Sequence, residues 1–319
     1  MSAAHPAASP DSPVGGPVDG VAVPRLLRDG RSLAAALPDL LMEARRVALT
    51  VAAGWHGRRQ GGPGETFWQY RPFVTGEAIT SIDWRRSARD DHLYIREQEW
   101  ESAHTVWLWA DFSPSMAFRS DLAAVSKRDR SLVLLLALAD LLATGGERVG
   151  MPGIQRPLAS RDIAERLAVA MTHTTLATAL PEAPPVGRFA DMVVFADLLD
   201  PIDEIEAFAR RLADTGMRGH LIQILDPIEE TFPFSGRTEF RDPETGSRLV
   251  AGRAEEWREA YGERLAARRE ALARLTQRIG WSFILHHTDR PASEPLLILH
   301  RRLTETNRDA GLAMVQGGG

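Results

Sequence analysis

From Thr105 onward, short apolar runs alternate with longer stretches whose apolar residues recur every three or four positions. The runs Thr105–Ala110, Asp191–Ala196, Gly219–Leu225 and Trp281–His286 have the length of buried strands, and Arg148–Ile154 is a weaker one. Between them, Asp121–Ala143, Ser160–Met171, Asp203–Thr215 and Glu255–Ile279 show helical spacing, with Ser160 placed as an N-cap and Gly216 as a stop. This alternation predicts an α/β fold built on a doubly wound, mostly parallel sheet. Residues 227–253 break the rhythm with turn-rich, alternating sequence, which predicts a hairpin excursion.

The first hundred residues read differently. Residues 1–32 are predicted to form a disordered tail, because the Ala-, Pro-, Gly- and Ser-rich start cannot offset its ordering entropy. Leu37, Leu40, Leu41 and Val47 predict a helix over Leu33–Ala53, with Pro38 and Asp39 at its start. Residues 54–64 read as a Gly- and Arg-rich loop. The β-like runs Thr66–Phe73 and Leu93–Glu97 complete a small β-rich N-terminal subdomain over residues 33–103, expected to pack its tryptophans on the larger body at 104–305. Residues 306–319 read as a flexible tail.

Composition narrows the chemistry. The chain has 319 residues, a net charge of −5 and no cysteine, which removes disulfides, thiolate metal sites and a cysteine nucleophile. Its only lysine, Lys127, follows Ser126, so no Gly-Lys-Ser/Thr phosphate loop exists. That lysine lies in Ser126-Lys127-Arg128-Asp129-Arg130, which reads as a solvated helix start. No apolar run reaches the roughly 20 residues of a membrane span. A secretory leader is not visible in residues 1–24, so a cytoplasmic location is expected. The acidic balance argues against nucleic acid as a partner.

Oxygen ligands remain. Ligands of open parallel sheets bind beyond the carboxyl ends of the strands. There the chain places Asp111-Phe112-Ser113-Pro114-Ser115, then Asp197-Leu198-Leu199-Asp200, then Asp226. Carboxylates with serine hydroxyls suit a hard cation such as Mg²⁺. Asp111, Ser113 and Ser115 alternate along an extended loop and so can converge on one side. Two other features have plainer readings. Asp83-Trp84-Arg85-Arg86 and Arg89 read as structural ion pairs around an aromatic plug. His286 and His287 point to opposite strand faces and cannot chelate one metal together.

Asp111-x-Ser113-x-Ser115-Met116 after an apolar strand resembles the metal-ion-dependent adhesion site of a von Willebrand factor A domain. By that resemblance Ser113, Ser115 and Thr174 (or Thr175) would ligate the ion, and Asp111 and Asp197 would act directly or through water. One position would stay open for an acidic group of a partner. Upstream, Gly64-Glu65-Thr66-Phe67, Arg71-Pro72-Phe73-Val74-Thr75-Gly76-Glu77 and Ile82-Asp83-Trp84-Arg85-Arg86-Ser87-Ala88-Arg89 are similar to the signature of the DUF58 family. Two departures stand out: Gly76-Glu77 replaces the family's Gly-Asp, and Thr172-His173 replaces its Gly-Gly. The resemblance implies a von Willebrand factor A-like, Rossmann-type topology. It also implies a non-enzymatic, Mg²⁺-dependent (or Mn²⁺- or Ca²⁺-dependent) binding module that partners a MoxR-type AAA+ ATPase and an acidic client protein. Such a module could lie peripheral to the inner membrane through its partners. A metal-dependent phosphohydrolase and a metal-free scaffold are the alternatives. The haloacid-dehalogenase type of the first needs a second Asp where Ser113 stands.

Overall fold

The computed structural model describes residues 22–56, 67–74, 82–89, 92–98, 104–174, 178–184 and 190–303. The tails at 1–21 and 304–319, most of the loop at 54–64, and Thr175 lie outside these residues. The chain order is α1 (Ala22–His56), β1 (Phe67–Pro72), α2 (Trp84–Ser87), β2 (Tyr94–Gln98), β3 (Thr105–Ala110), α3 (Lys127–Thr144), β4 (Arg148–Met151) and β5 (Gln155–Leu158). There follow α4 (Ile163–Thr172), β6 (Ala190–Ala196), α5 (Ile202–Ala213), β7 (Arg218–Leu225), α6 (Pro227–Thr231), β8 (Thr238–Arg241), β9 (Arg248–Ala251), α7 (Arg258–Arg278) and β10 (Ser282–His287). A last helix, α8, spans residues 293–303.

A six-stranded sheet runs β10-β7-β6-β3-β4-β5, parallel except for the β4–β5 pair. Strands β3 and β6 are apolar almost throughout because helices cover both sheet faces. Helix α3 is buried over most of Leu132–Ala143, since the sheet lies on one side of it and α1 and α4 on the other. Helix α1 offers Leu37, Leu40, Ala44, Val47, Ala48 and Val51 to that layer at three- and four-residue spacing. On the other face, α5 buries Ile205, Phe208, Ala209 and Leu212 and packs near α7.

Gly219 in β7 sits against the Trp281 ring, where an added Cβ would lie 2.2 Å from ring carbons. Gly219→Ala is expected to cost about 1–3 kcal/mol through overpacking, readable as a lowered urea midpoint. A wild-type midpoint would contradict this.

Helix α1 starts at Ala22 rather than Leu33, so residues 22–32 are helical, and Pro38 lies inside the helix. Leu26, Leu27 and Arg28 are strong helix formers, and Pro24 falls in the first turn, which requires no N–H. Helix α3 begins at Lys127, because residues 121–126 form turns and Ser126 caps it by accepting from the Asp129 N–H. The weak strand at 148–154 is two antiparallel strands, reversed at Gly153 with φ 70°. Helix α4 starts at Ile163, and Ser160 makes no cap, donating instead to the Asp162 carboxylate.

The β-rich segment contains β1 and β2, a two-stranded antiparallel pair. Trp84 is 59% exposed, so it plugs nothing, and Trp107 and Trp109 belong to the main sheet. Asp83 caps α2 by accepting from the Arg86 N–H. Arg86 lies over the Tyr94 ring.

Candidate metal and ligand site

The sheet order places β3 centrally. The chain leaves it through α3 to β4 on one side and returns through α4 to β6 on the other. The carboxyl ends of β3 and β6 therefore flank the point where the winding reverses, and a crevice forms there. Asp111 and Asp197 are the first residues past those ends.

The loop after β3 is built to turn its polar side chains inward. The Asp111 N–H donates to the Phe195 carbonyl at 2.9 Å, which carries the β3–β6 ladder one step further. Asp111 Oδ1 accepts from the Ser113 N–H at 2.7 Å, an Asx turn, and Pro114 then opens a short 3-10 turn. Ser113 and Ser115 Oγ lie 3.0 Å apart, and Ser115 Oγ donates to Asp197 Oδ2 at 2.9 Å. Asp111, Ser113, Ser115 and Asp197 are thus brought together.

The turn after β6 is held from outside. Gln223 donates to the Asp197 carbonyl at 2.9 Å. Leu198 is wholly buried with φ 54°, a left-handed conformation that a bulky residue adopts only under constraint. Arg268 of α7 supplies that constraint, donating to the carbonyls of Leu198 and Asp200. The outcome is that Asp200 turns toward the other two acids. One carboxylate oxygen from each of Asp111, Asp197 and Asp200 lies within 4.8 Å of the others.

The charge in this crevice is unbalanced. Burial, and then the neighbouring Asp197, push Asp111 up to about 7. Asp200 is raised for the same two reasons. Asp111 Oδ2 is buried and has no hydrogen-bond partner among the described residues. A solvent-excluded carboxylate oxygen without a donor is costly. A proton or a cation satisfies it, and the hydroxyls of Ser113 and Ser115 beside it are neutral oxygen donors of the kind a hard cation takes.

Lys127 is not solvated. Its side chain is 1% exposed and its ammonium lies 2.9 Å from Asp197 Oδ2 and 2.8 Å from Glu229 Oε1. Burial alone would lower its pKa, but Asp197 and Glu229 outweigh burial and hold it above the ordinary lysine value. The single lysine is a built-in cation for this site.

Two nominated residues stand elsewhere. Asp226 caps α6 by accepting from the Ile228 N–H, and it accepts from the Ser120 N–H and hydroxyl. Thr174 is exposed, and its hydroxyl donates back to the Ala170 carbonyl at 3.0 Å. The nearby segment that does meet the site loop is Thr178–Ala179. Its carbonyls accept from the Phe112 N–H and the Trp109 indole. Lys127 and Glu244 are participants that the sequence does not point to, and Asp200, part of a strand-end segment, is outside the ligand set that the resemblance implies. Asp200 was visible three residues after Asp197, but only the strained Leu198 turn aims it inward. Glu244 comes from the β8–β9 loop and accepts from the Ser115 N–H at 2.9 Å. Nothing in the local sequence announces that contact. His286 is buried and His287 half-buried, bonded to Glu230.

No described helix is long and apolar enough to cross a membrane. Among solved structures, the fold is similar to the conserved hypothetical protein BatB from Bacteroides thetaiotaomicron, at 16% identity and TM-score 0.40, over 64% of this chain and all of that one. An aerotolerance-related membrane protein from Bacteroides fragilis gives 17% identity and TM-score 0.37 over the same shares. Curated relatives include uncharacterized protein Rv1480 of Mycobacterium tuberculosis and uncharacterized protein Mb1516 of Mycobacterium bovis. Each is 27% identical over 290 residues, covering 84% of this chain and 89% of the relative. The family described as "Protein of unknown function DUF58" matches residues 69–271, well over half of the chain, and the chain belongs to that family.

Proposed function

We propose that the chain is a non-enzymatic, Mg²⁺-dependent protein-binding module with a von Willebrand factor A-like domain. Its metal would be held by Asp111, Ser113, Ser115 and Asp197, with Asp200 as a further carboxylate beside them. The observation that carries this reading is the orphaned, buried Asp111 Oδ2, on a carboxylate that clusters with those of Asp197 and Asp200. A bound ion that keeps one coordination position open accepts a partner carboxylate, and that charge-assisted contact orients an interface. The partner assignment, a MoxR-type AAA+ ATPase acting on an acidic client, rests on the family resemblance. The chain holds no phosphate loop of its own, so an ATP-driven role needs a second chain. The reading places the protein in the cytoplasm, at the inner membrane only through its partners.

Titration of Mg²⁺ into wild type is expected to release heat that Asp111→Ala abolishes. Equal, negligible heats for both proteins would sink the metal reading. Affinity purification with and without chelator would then show whether partner capture follows the ion.

Lys127 favours a second reading, a metal-free scaffold. Its ammonium already neutralises Asp197, and a site balanced by lysine has less need of a divalent ion. The two readings separate on the response of Lys127→Met to Mg²⁺.

A further inference from the structure

Glu244 is the acidic side chain that this crevice already receives from its own chain. We infer that the β8–β9 hairpin is an intramolecular cover, in which Glu244 occupies the place that a partner's carboxylate would take on the Ser115 N–H. The contact itself stands on geometry. Its meaning as ligand mimicry rests on the binding-module reading above.

The hairpin tip is built to present this residue. Asp242 and Ser247 close the loop through the Asp242 N–H and the Ser247 carbonyl at 2.8 Å. Asp242 Oδ1 accepts from the Glu244 N–H, and Oδ2 accepts from the Thr245 hydroxyl. Gly246, with φ 74°, reverses the chain. Glu244 is therefore preorganised, and its carboxylate reaches across 129 sequence positions to the Ser115 amide. It lies close enough for its charge to bear on Asp200.

The hairpin is also built to move. It forms its own two-stranded sheet with no ladder to the main one. Such a pair is marginal by itself and depends on what it packs against. Its root is an aromatic cluster: Phe240 stacks on Phe232 and Trp257, and Phe232 stacks on Tyr261. The other side stays open, with Leu249 and Val250 59% and 48% exposed. A firm root and a single charge-assisted bond at the tip describe a flap hinged at its base.

Electrostatics couple the flap to the site. A fourth carboxylate entering a mouth that already holds Asp111, Asp197 and Asp200 meets repulsion that Lys127 offsets only in part. A divalent ion in the crevice removes that repulsion and tightens closure. By reciprocity, Glu244 tightens the ion. A partner carboxylate must then displace Glu244, and the affinity of an external acid is reduced by the population of the closed state.

Hydrogen exchange of the full chain, read on peptides spanning the Ser115 amide, tests this. Glu244→Ala is expected to speed exchange at that amide by about tenfold, the worth of one charge-assisted hydrogen bond. Glu244→Gln, which keeps an acceptor oxygen, falls between. Acetate, as a free carboxylate probe with Mg²⁺ present, is expected to restore protection in Glu244→Ala and to leave wild type unchanged. Exchange at Ser115 that is the same in wild type and Glu244→Ala overturns the cover. Failure of acetate to protect the open variant overturns the assignment of Glu244 to the ligand's place. Protection by acetate regardless of Mg²⁺ supports the cover and counts against the metal reading alone.

Discussion

Lys127→Met is expected to destabilise the fold by about 3–5 kcal/mol, the cost of stripping one partner from a buried ion pair. Methionine fills the space of the lysine stem, so packing is roughly preserved. What remains is Asp197, buried, with only the Ser115 hydroxyl and the Leu199 N–H as donors among the described residues. Glu229 fares better. Its side chain is 18% exposed and it still accepts from the Asp226 N–H. The uncompensated charge on Asp197 is therefore the main cost. Adding Asp197→Asn to Lys127→Met should recover much of the loss, as expected for two residues in direct contact. Chemical denaturation of wild type and the two variants reads this directly. If the single variant loses under about 1 kcal/mol, the pair is not energetically important.

The same variant separates the two functional readings. Mg²⁺ beside Asp197 supplies the missing positive charge, and anything that binds the folded state raises its stability by mass action. Under the metal reading, Mg²⁺ rescues Lys127→Met substantially. Under the scaffold reading, Mg²⁺ leaves both proteins unchanged, because lysine alone balanced the site.

The architecture was legible in the sequence for a definite reason. Strands covered on both faces must be apolar at nearly every position, and Val106–Ala110 and Met192–Ala196 are runs of that kind. Strand ends are equally legible, so Asp111, Ser113, Ser115 and Asp197 could be placed at the crevice by counting. What the sequence hid depends on distance along the chain. A lysine among charged neighbours at a helix start reads as solvated. Only the fold reveals that Asp197 and Glu229, 70 and 102 positions away, surround it. The Glu244 contact spans 129 positions and is hidden in the same way. Thr174 failed because its hydroxyl has a local alternative, the carbonyl of the helix turn behind it, a competition that Ser and Thr routinely enter near helix ends. Asp226 failed because proline at the first helical position and Glu229 at the third make it a capping box instead.

Lowering the pH from 7 to 5 is expected to destabilise the protein by about 3 kcal/mol, chiefly through histidines. Burial pushes His286 down to about 3, and His220 and His300 down to about 4. The surroundings reinforce this for two of them. His286 faces Arg130 and His287, and its Nε2 has no partner among the described residues. For His220 burial prevails over the opposing charge of Asp191, Arg302, Arg218 and His104 add to the lowering, and Nδ1 pairs with the Ser282 hydroxyl at 2.7 Å. An unfolded histidine titrates near 6.5, so between about 6.5 and 4 the unfolded chain binds more protons at all three positions. Stability then falls as pH falls, by about 1.4 kcal/mol per pH unit for each.

Asp111 acts in the opposite sense. Its folded value is raised to about 7 from 3.8, so in the same window the folded state binds the extra proton and stability rises as pH falls. One carboxyl offsets one histidine, which leaves about 2 kcal/mol per pH unit between about pH 6 and 5 and less above about pH 6, where the unfolded histidines are only partly protonated. Asp140 and Asp200, also raised, trim the slope, and His104, lowered by burial, restores some of it. Thermal midpoints between pH 7 and 5 measure the result. A midpoint unchanged across that range would refute the account. His286→Phe, which keeps an aromatic ring in place and removes one titrating group, should flatten the slope by about 1.4 kcal/mol per pH unit, and an unaltered slope in that variant would remove His286 from the set.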